Sequence, residues 1–121
     1  MLKVNKNNKL LYDFDLIDIT NHIMYKCTLE SNTNSSTVYV NEGLFNKTDK
    51  YDEIIIQYSI YGYNLINDTK VIFDKLKYYF LINGLDKYIK VNRSELCTIT
   101  IRYRTDKIDK IKTYFRLKGI I

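Results

Sequence analysis

The 121-residue chain predicts an α+β fold: a single domain, residues 1–121, with an antiparallel four- to five-stranded sheet and two α-helices in the order ββββα(β)βα. Three observations carry this expectation. Apolar and polar residues alternate through most of the first half, which is the period of a half-buried strand. The period lengthens to three and four residues in two later segments, each closed by a glycine. No linker, repeat or low-complexity tract splits the chain, whose length suits one core.

KLLYDFDLI puts Leu10, Tyr12, Phe14 and Leu16 on one face and Leu11, Asp13 and Asp15 on the other. HIMYKCTLE resumes the alternation after a short turn, so a β-hairpin is expected first. SNTNSS reads as a loop, because its small polar side chains bond to nearby backbone in preference to a ladder. TVYVNEGLF is a third strand ending at Gly43, and NKTDKYD is the turn into EIIIQYSIYGYNL. That fourth strand places Ile54, Ile56, Tyr58 and Ile60 on one face and Ile55, Gln57, Ser59, Tyr61 and Tyr63 on the other. Its second face is partly apolar, which calls for either cover or a partner.

Asn67 or Asp68 suits the N-terminus of the first helix, along which Ile72, Phe73, Leu76, Tyr79 and Phe80 recur at helical spacing. Gly84 fits its left-handed stop, with Leu85 as the hydrophobic residue beyond. KYIKV reads as a short strand, NRSE as a turn and ELCTITIRYR as the last long strand. The second helix runs from Thr105 to about Lys118, with Ile108, Ile111 and Phe115 on one face and Gly119 at its end. Asp106 and Asp109 lie early and Lys112, Arg116 and Lys118 late, the order favoured by the helix dipole.

The chain has no Ala, Pro or Trp, but seventeen Ile, fifteen Lys, twelve Asn and twelve Tyr. Scarce residues with GC-rich codons and abundant ones with AT-rich codons point to genomic composition before function. The net charge of +5 is therefore weak evidence for an anionic partner. The sequons at Asn34, Asn46, Asn67 and Asn92 are read as products of Asn richness. No apolar run approaches the roughly 18–20 residues that span a bilayer, and acidic residues interrupt the N-terminal apolar stretch, so a cytoplasmic protein without membrane contact is expected. Cys27 and Cys97 alternate with apolar residues and are expected as reduced core thiols.

Candidate site residues come from the basic and aromatic rows. Three of the four arginines, Arg93, Arg102 and Arg104, fall within twelve residues. Residues i and i+2 of a strand stand about 7 Å apart, a spacing suited to two phosphates or two acidic side chains. Thr98 and Thr100 extend the row with hydroxyl donors; the plain alternative is a strand face made soluble by charge. Tyr61 and Tyr63 are rings suited to anchoring a protein interface or stacking on bases. Asp13, Asp15 and Asp18 have the composition of a divalent-metal site, but the complementary ligands are missing and a solvated edge strand explains them better. His22, the single histidine, is expected in a hairpin turn. Neither a P-loop, GxGxxG, GxSxG, HExxH nor paired CxxC motif is present, so neither catalysis nor a cofactor is expected.

Two helices cannot cover both faces of such a sheet, so Tyr61, Tyr63, Arg102 and Arg104 are expected on one open face, with Arg93 nearby. The expected function is a non-enzymatic protein-interaction module. In general character a short, basic, AT-biased chain without catalytic motifs resembles accessory proteins of phages and other mobile elements. That resemblance implies an inhibitor that occupies a host protein or protein complex, such as a defence nuclease, in the host cytoplasm. The same face is also suited to a homodimer. The rival expectation is a small nucleic-acid or nucleotide binder, with arginines on phosphates and tyrosines on bases.

Overall fold

The computed structural model describes residues 13–29, 39–48, 53–61, 65–94 and 97–121. The elements are α1 (Phe14–Leu29), β1 (Tyr39–Thr48), β2 (Glu53–Tyr61), α2 (Leu65–Ile82), β3 (Ile89–Arg93), β4 (Thr98–Arg104), a 3-10 turn (Thr105–Lys107) and α3 (Ile108–Leu117). The four strands form one antiparallel sheet in the order β1-β2-β4-β3. The class is α+β, but the order is αββαββα, and the expected ββββα(β)βα plan with two helices does not hold.

The correction lies in the first segment, where a helix replaces the expected hairpin. Leu16, Ile19, Thr20, Ile23, Met24 and Cys27 are all buried, a stripe at three- and four-residue spacing. A strand period would have buried Tyr25 with Ile23 and Cys27, yet Tyr25 is 64% exposed while Met24 is 1% exposed. The β-branched Ile and Thr residues favour a strand locally, but one continuous apolar stripe outweighs propensity differences of a few tenths of a kcal/mol per residue. Asp13 caps the helix: its Oδ1 accepts from the Leu16 N–H at 3.2 Å and its carbonyl from the Ile17 N–H at 3.0 Å. The portion of the expected hairpin before Asp13, and the SNTNSS loop, lie outside the described residues.

Other bounds shift by less. β1 runs past Gly43 to Thr48, with a register irregularity between Val40 and Glu42 absorbing the break. α2 starts at Leu65, ahead of the expected cap, so Asp68 and Thr69 are buried within its first turns. Both glycine stops take the expected form. At Gly84 (φ 69°) the Leu85 N–H reaches the Phe80 carbonyl at 2.8 Å and the Gly84 N–H the Leu81 carbonyl at 3.1 Å. At Gly119 (φ 75°) the Ile120 N–H reaches Phe115 at 3.0 Å and the Gly119 N–H reaches Arg116 at 2.9 Å. Each is a Schellman closure with an apolar residue folded back beyond the glycine.

All three helices pack on one sheet face. Ile54, Ile56, Tyr58 and Ile60 of β2 and Ile99, Ile101 and Tyr103 of β4 meet Ile23 of α1, Leu76 and Phe80 of α2 and Phe115 of α3 in one buried cluster. Each buried isoleucine is worth roughly 2 kcal/mol. An exposed ion pair contributes about 1 kcal/mol at most, so these apolar rows decide which face the helices cover.

The open face of the sheet

Alternation along β2 and β4 leaves Glu53, Ile55, Gln57, Ser59, Thr98, Thr100, Arg102 and Arg104 on the side away from the helices. Lys90 and Asn92 of β3 join it through their register with Arg102 and Thr100. No helix among the described residues packs on this side. On it Ile55 lies opposite Arg102, Gln57 opposite Thr100 and Ser59 opposite Thr98. Its basic end is Lys90 opposite Arg102, with Arg104 beside them.

The arginines are already engaged. Arg104 grips Asp106 with both arms of its fork, Nε to Oδ1 at 3.1 Å and Nη2 to Oδ2 at 2.8 Å. Arg102 faces Glu53 across the β2–β4 pair, with Nη1 3.9 Å from Oε2. Among the described residues neither the Arg102 Nε nor the Glu53 Oε2, both inaccessible, has a hydrogen-bond partner, so this pair is a loose one. Lys90 Nζ donates to the Asp86 carbonyl at 3.0 Å.

Of the sequence-predicted residues, Arg102 and Arg104 share this face. Arg93 does not. It stands opposite Ile99, whose side chain is buried under the helices, so the register assigns Arg93 to the other side of the sheet. The run of three arginines is thus split by the alternation of β3. Tyr61 ends β2 opposite Tyr39, with only its backbone described, and Tyr63 lies outside the described residues.

A cleft of about 700 Å³ wraps the outer edge of β3. Lys90 and Arg102 line it on the open face, and Tyr78 and Leu81 of α2 line it on the helix side.

Sequence reasoning missed a pair of tyrosines with structural duty. Ile54-x-Ile56-x-Tyr58 and Ile99-x-Ile101-x-Tyr103 are the same pattern on the two central strands. Antiparallel register pairs Ile56 with Ile101, Ile54 with Tyr103 and Tyr58 with Ile99. Both hydroxyls converge on α1: Tyr58 donates to Asn21 Oδ1, and Tyr103 bonds Thr20 Oγ1, whose own proton goes to the Leu16 carbonyl at 2.6 Å. Burial pushes both phenols well above the usual tyrosine range, the neighbouring Tyr103 adding to the effect at Tyr58 and the Thr20 bond opposing it at Tyr103. These groups stay protonated and serve as tethers. The repeated pattern was the available signal.

The acidic row has a structural use too. Asp13 caps α1 and meets Lys112 Nζ at 2.7 Å, while Asp15 lies 3.7 Å from both Lys112 Nζ and Arg116 Nη2. The carboxylates therefore tie α1 to α3, and the edge-strand reading of them falls with the hairpin. His22 sits on the exposed side of α1 instead of in a turn. Cys27 is a buried thiol, whereas Cys97 is half-buried at the start of β4; neither forms a disulfide. Among the described residues, no group of three His, Cys, Asp or Glu side chains is placed to hold a metal ion. No helix there is long and apolar enough to cross a membrane. Comparison with known proteins returns no matching family, no similar curated protein and no similar solved structure.

Proposed function

We propose that the chain is a non-enzymatic interaction module whose open sheet face docks on another protein. The expected setting is that of a phage or mobile-element accessory protein inhibiting a host defence nuclease complex by direct binding. One observation supports protein over nucleic acid: both β4 arginines already face carboxylates, Arg104 in a two-bond grip with Asp106 and Arg102 beside Glu53. Affinity for a phosphate backbone comes from cations that neutralise phosphates and release counterions. Cations answered by their own carboxylates supply little of it. Ile55, an apolar side chain flanked by Gln57 on its own strand and diagonally by Thr100, suits instead a protein interface, whose apolar core is set in a polar rim. A rigid sheet offers that surface without an ordering cost at binding.

A Ser59→Arg, Thr100→Arg double variant separates the two readings. The positions are diagonal across β2 and β4, so the new charges do not face each other directly. Protein docking predicts that wild-type protein captures a bacterial partner while the variant does not. It also predicts that wild-type protein leaves a mixed-sequence single-stranded RNA unbound at about 0.15 M salt. RNA binding by wild-type protein that tightens in the variant would overturn the proposal in favour of a nucleic-acid face.

A further inference from the structure

Among the described residues β3 is an edge strand, paired with β4 on one side alone. The Arg104 N–H donates to the Tyr88 carbonyl at 3.1 Å and the Ser94 N–H to the Thr98 carbonyl at 2.8 Å. With the β3–β4 register, these bonds place the hydrogen-bonded pairs at Tyr88, Lys90, Asn92 and Ser94. The residues between them turn their N–H and C=O groups outward. The Ile89 N–H is taken by the Leu85 carbonyl at 3.0 Å, which leaves Val91 at the middle of the open edge.

The cleft gives this edge two chemically different banks. On the helix side Tyr78 and Leu81 are 63% and 60% exposed, unusual for large apolar side chains beside an unpaired backbone. On the open-face side stand Lys90 and Arg102. The side chains of a strand added to β3 would point alternately to the two banks.

We propose that the β3 edge accepts an extended segment of a partner protein as an additional strand, one in which apolar residues alternate with acidic ones. Apolar side chains enter against Tyr78 and Leu81, and carboxylates reach Lys90, whose Nζ contacts a backbone carbonyl and no carboxylate among the described residues. Val91 supplies the central backbone donor and acceptor. Charge selects against a second copy of this chain as the occupant. Its own β3 would bring Lys90 and Arg93 to a cleft where Lys77, Lys90 and Arg102 already outnumber Glu53 and Asp86, in a protein of net charge +5. Lysine on an edge strand commonly deters such self-pairing.

The inference deepens the protein-docking reading and rests on it, but the two fail separately. The test is a titration of the isotopically labelled full chain with an octapeptide of alternating valine and glutamate, followed by amide chemical shifts. At peptide concentrations up to about 1 mM, shifts are expected at Ile89–Arg93, Tyr78, Leu81 and Arg102, with slowed solvent exchange of the Val91 amide. Lys90→Glu should weaken binding about tenfold, the loss of one charge-assisted contact. A valine–lysine peptide, and a valine–glutamate peptide N-methylated at alternate backbone nitrogens, should not bind. Silence at β3, or an equal response to either control peptide, overturns the proposal. So do β3 shifts that depend on protein concentration without peptide, which would assign the edge to a second copy. Partner capture lost in Ser59→Arg, Thr100→Arg with β3 silent would leave the open-face reading standing alone.

Discussion

Thr20 and Tyr103 show how one buried hydrogen bond can be asymmetric. Thr20 Oγ1 gives its proton to the Leu16 carbonyl and receives that of Tyr103, so the phenol depends on the threonine more than the reverse. Tyr103→Phe removes donor and hydroxyl together and should cost about 1 kcal/mol. Thr20→Val keeps the shape but strands a fully buried phenol, and should cost about 2–3 kcal/mol. Urea denaturation of the two variants checks the order; a larger loss for Tyr103→Phe would contradict the assigned direction of the bond. Neither partner was legible as such. Tyr103 follows from strand alternation, but Thr20 becomes a core residue only once residues 14–29 are helical.

At the scale of elements, endings were easier to read than beginnings. Gly84 and Gly119 announce left-handed stops because few other residues adopt positive φ without strain, and both stops hold. Nothing lies within 4 Å of a Cβ built at Gly84, so a substitution there meets no clash and the cost is backbone conformation alone. Gly84→Ala is therefore expected to lower stability by about 1–2 kcal/mol, read from the thermal midpoint and unfolding enthalpy. No loss would mean that the α2 terminus relaxes into another closure. Strand β4 was legible because TITIRYR alternates, and β2 because Ile54, Ile56, Tyr58 and Ile60 recur at every second residue. Helix α1 was not, because its Ile- and Thr-rich stretch satisfies the strand period over short windows and the helical one only over its full length. Two periodicities in one segment are resolved by which stripe the rest of the core can bury.

For the whole molecule, placing three helices on one side gives the sheet its second, open face, and that placement follows from the parity of β2 and β4. Arg102 and Arg104 could be assigned to a common face from TITIRYR alone. What the sequence left out was register: the face of Arg93 depends on how β3 pairs with β4 through the intervening turn, and the carboxylates opposite the arginines depend on β2 and the 3-10 turn. The cleft at β3 likewise exists only because α2 overhangs an edge strand seven residues after its own end. The proposed docking on the open face places a partner protein over Thr100. A photoreactive side chain placed at Thr100, with one at Thr113 on the exposed surface of α3 as control, tests it most directly in cells that contain the partner. Protein docking there predicts a nuclease-resistant protein adduct from Thr100 and none from Thr113. A nuclease-sensitive adduct at Thr100, or an adduct from Thr113 alone, would contradict it.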